Sequence, residues 1–107
     1  MCGNGWFTLI AKRYLCSQLV LLCCGAVRHI VNLEEIWETG AVLEAEEPFI
    51  LGSPAEIRCG PVHLFGTITR VQEHSIGWRI EMDFSPLTPW SPERFEPEHL
   101  LDLSEMG

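Results

Sequence analysis

IGWRIEMDF, Ile76 to Phe84, decides the fold. Ile76, Trp78, Ile80, Met82 and Phe84 alternate with Gly77, Arg79, Glu81 and Asp83. A period of two over nine residues places five large side chains on one face of a strand. A helix, with a period of about 3.6, would scatter the same five around its circumference. Upstream, LFGTITRVQE, Leu64 to Glu73, is rich in β-branched residues, and only His74 and Ser75 separate it from the alternating run. The two runs read as a hairpin.

The rest of the chain is punctuated in the same way. AVRHIVNL, Ala26 to Leu33, sets Val27, His29, Val31 and Leu33 on one face. AVLEA, Ala41 to Ala45, and AEIRC, Ala55 to Cys59, are shorter strands. LVLLCC, Leu19 to Cys24, lacks alternation, which suits a strand covered on both faces. Gly25, Gly40, Gly52-Ser53-Pro54 and Gly60-Pro61 mark the breaks, and four prolines from Pro86 to Pro97 interrupt the tail. SPERF, Ser91 to Phe95, offers a serine N-cap followed by proline at the first helical position, so a short C-terminal helical turn is expected. Six short strands with almost no helix predict an all-β chain, a small six-stranded antiparallel barrel. Residues 12–103 form this one domain, and residues 1–11, MCGNGWFTLIA, read as a loosely attached N-terminal segment.

Charge narrows the partners. Fifteen acids against seven bases give a net charge of −8. Nucleic-acid binding needs clustered Lys and Arg to neutralise phosphates, and anionic membranes need the same. Neither partner is expected. Five cysteines, an odd number without a C-x-x-C pair, suit reduced and mostly buried thiols in a cytoplasmic protein better than a disulfide framework. The apolar run Leu19–Cys24 is six residues long, far short of the about 20 that a membrane helix needs.

No catalytic signature is present: G-x-S-x-G, a glycine-rich phosphate loop and H-E-x-x-H are all missing. The chain is not expected to be an enzyme. Cys59 and His63, four apart across CGPVH, have two readings. They are a fragment of a zinc site or Cys–His nucleophile, or a half-buried thiol beside an edge histidine; a metal site needs three or four converging ligands. Glu34, Glu35, Glu38, Glu44, Glu46 and Glu47 lack calcium-loop spacing and read as a solvated face. Trp78 and Phe84 are expected in the core. Trp37, flanked by glutamates in EIWETGAVLE, is either an exposed contact residue or a lid folded over the barrel end.

Taken in order, these pieces resemble the PilZ domain, a six-stranded bacterial β-barrel. Arg13-Tyr14 before the first strand, EIWETGAVLE between the second and third, LGSPAEI with GTITRV, and GWRIEMDFSP carry the likeness over about residues 12–102. The tail WSPERFEPEHLLD is similar to an extension of some short, stand-alone members. The resemblance implies a bacterial signalling domain, and members commonly bind cyclic di-GMP. They use R-x-x-x-R before the first strand and D/N-x-S-x-x-G after the second: arginine forks clamp phosphates and guanine, and the turn supplies a small hydroxyl and a glycine.

By family position the ligand-binding residues would be Arg13, Ser17, Glu35, Trp37 and Gly40. Ser17 stands where the second arginine belongs, Glu35 at the D/N position and Trp37 at the serine, while Gly40 keeps the glycine, expected in a left-handed turn. No two arginines in the chain are four apart. The expectation is therefore a PilZ-like regulatory or adaptor domain with degenerate motifs and no cofactor, acting on a protein partner through its strands and the Trp37 turn. The alternative is a cyclic di-GMP effector using non-standard contacts from Lys12, Arg13 and Arg28 or Arg70.

Overall fold

The computed structural model describes residues 12–103. Seven strands follow one another: β1 (Tyr14–Cys24), β2 (Val27–Trp37), β3 (Gly40–Ala45), β4 (Pro54–Cys59), β5 (Val62–His74), β6 (Gly77–Phe84) and β7 (Leu101–Asp102). The sheet runs β2-β3-β6-β5-β4-β1, and an antiparallel β1–β2 pairing closes it into a six-stranded barrel. Closure leaves no full-length free edge, which is how a small all-β chain protects its backbone hydrogen bonds. β7 lies outside the ring, paired with Tyr14 and Leu15 of β1. The segment 1–11, read above as loosely attached, lies outside the described residues.

The alternating run behaves as its period dictates from Trp78 onward. Ile80 and Met82 are fully buried, Phe84 nearly so, and Trp78 packs half-buried against the same core. Ile76 departs from the expectation. It sits in the two-residue turn between His74 and Gly77, 84% exposed, because the strand starts one residue later. Leu22, Leu33, Ile36, Leu43, Ile57 and Leu64 complete the barrel interior.

β1 also differs. It is eleven residues long rather than six, and its outer face is covered only in part: Leu19 is 68% exposed and Leu21 half-buried, but Cys23 on the same face is buried, as are Val20 and Leu22 on the inner one. The alternation is masked because Leu19 and Leu21 place apolar side chains on the outer face as well. The register shift between Leu15 and Gln18 moves the phase of β2 instead, where Val31 and Leu33 face in before it and Ile36 after it.

No α-helix occurs among the described residues, so the expected helical turn at Ser91–Phe95 is not formed as helix. The segment is one hydrogen-bonded turn that does not continue, in which Ser91 O accepts from Arg94 N at 3.0 Å and from Phe95 N at 3.3 Å. Pro97 disfavours helical geometry at Glu96, and the Phe95 carbonyl is taken by the Trp90 indole at 2.9 Å. The tail is instead a strap across one barrel end. Trp90 is 2% exposed, its backbone N–H donates to Glu38 O, and its ring meets Tyr14 edge-on at 5.3 Å. Phe49, edge-on to His29, fills the other end.

Candidate functional site

Arg13 and Tyr14 diverge across the entry of β1. Tyr14 turns in toward Trp90, and Arg13 turns out over the Trp37 ring, its guanidinium carbon 4.0 Å from the ring centroid. Trp37 is the last residue of β2 rather than part of the turn, and it is half-buried. It pairs across the ladder with Gly40. A Cβ at Gly40 would lie 2.7 Å from Met82 O and 2.8 Å from the Trp37 ring, so the indole rests directly on the glycine backbone. Arginine, indole and glycine form one stack.

This corrects the expectation for Gly40. Among the described residues, the glycines with left-handed backbone are Gly25, Gly52 and Gly60. Gly40 is the first residue of β3, and what its position demands is room, not a positive φ.

Glu35, two residues before the indole on the same outer face, completes the cluster. One carboxylate oxygen takes Arg13 Nη1 at 3.4 Å, and the other takes Arg79 Nη2 at 3.3 Å. Two guanidinium groups therefore converge on one carboxylate, a charge-assisted arrangement that holds both in place and leaves the trio with one net positive charge. Arg79 was not anticipated. It lies 44 residues from Glu35, and only the β2-β3-β6 pairing brings them together. Ser17 does not join them. It sits at the β1 irregularity, where its hydroxyl donates to Asn32 Oδ1 at 3.5 Å and its backbone N–H to Glu98 O at 3.0 Å.

The other basic residues are dispersed. Arg28 pairs with Cys23 at the hairpin end of β2, opposite the Trp37 end. Arg70 bridges Glu81 at 3.7 Å, and Lys12 bridges Asp102 at 3.4 Å. The mouth beside Phe49 holds a cavity of about 500 Å³, lined by Cys24, Val27, Pro48, Phe49, Ile50 and Pro54 among others. Its walls are apolar, with no charged side chain to hold a phosphate.

Cys59 and His63 face opposite ways. Cys59 is in the core, whereas His63 points out and bonds Glu56. Among the described residues, no three His, Cys, Asp or Glu side chains converge as metal ligands. Burial pushes the Cys59 thiol up to about 12, and burial with nearby Glu34 and Glu35 does the same for Cys16. In the unfolded chain these thiols ionise near 9, so stability should be full below about pH 9 and should decline as pH rises towards 12. Urea midpoints at about pH 8 and about pH 10 test this. The decline should shrink in Cys16→Ala and Cys59→Ala, and an unchanged slope in both would refute the assignment.

Set against protein-family models, curated proteins and solved structures, the chain finds no match. What the fold and the site define is a small closed antiparallel β-barrel with a self-contained arginine–indole–carboxylate cluster on its outer face. Among the described residues no helix is long and apolar enough to cross a membrane.

Proposed function

We propose that the protein is a PilZ-like regulatory or adaptor domain that acts by contact with another protein and has lost the cyclic di-GMP function of that resemblance. The observation that carries this reading is the engagement of Arg13. Its guanidinium, the one arginine in a position to grip a phosphate by the family pattern, is stacked on Trp37 and bridged to Glu35. A dinucleotide would have to displace both contacts and then compete for the two guanidinium groups with the Glu35 carboxylate that already holds them. Arg28 and Arg70 lie elsewhere on the barrel, and Arg79, the second arginine at this place, is itself bridged to Glu35.

Calorimetric titration with cyclic di-GMP tests the reading. The expected result is no saturable heat, a Kd weaker than about 1 mM, equivalent to less than about 4 kcal/mol of binding free energy. Micromolar binding that disappears in Arg13→Ala would overturn it and return the chain to the effector class.

A further inference from the structure

We propose that the fork between β2 and β3 is a docking groove for an extended, basic segment of a partner protein, which adds as a strand to β2. The proposal rests on the protein-contact reading above and names the surface and the partner chemistry. β2 has eleven residues and β3 six, so their ladder covers only Asn32 to Trp37. From Val27 to Val31 the β2 edge on that side has no partner strand among the described residues, while its other edge is paired with β1 throughout. Five residues of strand expose about 16 Å of backbone donors and acceptors.

Two usual protections of an open edge, proline and a bulge, are missing here, although Phe49 packs edge-on against His29 and Arg28 is charged. VRHIV contains no proline, and its pairing with β1 runs without a bulge. Another unpaired edge, β5 beyond Ile68, starts at a register shift and carries mainly polar side chains. At the fork the groove has a volume of about 410 Å³. Leu19, Ile30 and Ile76 line it and are 68%, 70% and 84% exposed. Three large aliphatic side chains in water around one strand edge are what an incoming apolar residue would bury.

Charge selects the partner. Glu44 and Glu46 line the groove and exposed Glu47 follows, against Arg28 near the hairpin end and His74, whose Nδ1 lies 3.2 Å from Glu44. With a net charge of −8 behind it, this rim attracts lysine and arginine and repels a second copy of the same chain.

The test is an NMR titration of the full chain with a short synthetic peptide of alternating valine and lysine. Expected are shifts and amide protection at Arg28–Val31 and Ile76, with affinity lowered about tenfold or more by Ile30→Lys, the value of one large apolar contact. Glu46→Lys should weaken binding as well, and a valine–glutamate peptide should not bind. Proline in place of the central valine should abolish binding through the lost backbone donor. Equal binding of the glutamate or proline peptide overturns the proposal, as does no binding of the lysine peptide. Shifts confined to Arg13 and Trp37 overturn the groove but keep the protein-contact reading. Cyclic di-GMP binding lost in Arg13→Ala overturns that reading whatever the peptide does. A dimer dissolved by Ile30→Lys, or edge protection lost on deleting residues 1–11, would assign the edge to this chain itself and overturn the proposal.

Discussion

Trp90→Ala should cost about 3–5 kcal/mol of stability, the range for deleting a buried indole from a packed site. The ring is 2% exposed and closes one end of the barrel, so truncation leaves a void that neighbouring strands cannot fill without breaking their ladders. It also leaves the Phe95 carbonyl without the indole N–H that satisfies it. Tyr14 loses its edge-on partner at the start of β1. In a domain of this size each kcal/mol lowers Tm by roughly 4–8 °C, so the change is readily seen by thermal melting.

The loss should not be uniform. The strap beyond Trp90 is held by Ser17 N to Glu98 O, Glu98 N to Gln18 Oε1 and Leu103 N to Arg13 O. Amide exchange at Ser17, Glu98 and Leu103 should accelerate more than exchange in β5 and β6. Trp90→Phe, which keeps an aromatic ring but no N–H, should recover part of the loss. A melting curve unchanged in Trp90→Ala would show that the strap is ornamental to the barrel.

How much of this could be read from the residues differs from place to place for physical reasons. Ile80, Met82 and Phe84 were legible because a strand's period of two leaves a direct trace when one face is buried and the other is charged. β1 was not, because Leu19, Leu21 and Cys23 put apolar residues on the outer face too, so that its constant inward phase leaves no contrast. Trp90 carries no periodic signal at all. It lies among prolines, and its partners Tyr14, Glu38 and Phe95 come from three separate stretches.

The site was partly legible in the same sense. Arg13, Glu35, Trp37 and Gly40 do meet, but local sequence could not show that they satisfy one another. It could not place Arg79 on Glu35 either, since that contact exists only through strand order. Ile30 carried a usable signal: if Val31 and Leu33 face in, Ile30 must face out, and an outward isoleucine is a question about a partner. Gly40 shows the opposite error. A glycine after a polar turn suggests a left-handed backbone, whereas here it is a flat surface on which an indole rests.

Gly66→Ala should be the most damaging glycine-to-alanine change among the described residues. Propensity alone predicts the reverse, because alanine is favoured over glycine inside a strand by roughly 0.5–1 kcal/mol. The geometry changes the sign. A Cβ at this position would stand 1.9 Å from Asp83 O, 2.8 Å from Asp83 C and 2.9 Å from the Phe84 Cα. All three are backbone atoms, so no rotamer change relieves the overlap. The cause lies in the path of β5. Val62 to Thr67 pair with β4, and Gly66 to His74 pair with β6, so the strand passes from one neighbour to the other at Gly66 and Thr67. Two ladders meet at this corner of the barrel, and only a residue without a side chain lets β6 approach so closely. Nearby bonds hold it in place: Phe84 N donates to Thr39 O at 2.8 Å and Ser85 N to Phe65 O at 2.7 Å. Forcing β5 and β6 apart would strain these as well. We expect a loss of about 3 kcal/mol or more, at the upper end of overpacking effects. Gly25→Ala is the control. Gly25 has φ of 62° with open space around its Cβ position, so it incurs only the backbone penalty of about 1–2 kcal/mol. Urea midpoints should rank wild type above Gly25→Ala and Gly25→Ala well above Gly66→Ala. A Gly66→Ala protein as stable as wild type would mean that β5 does not turn the barrel's corner at this residue.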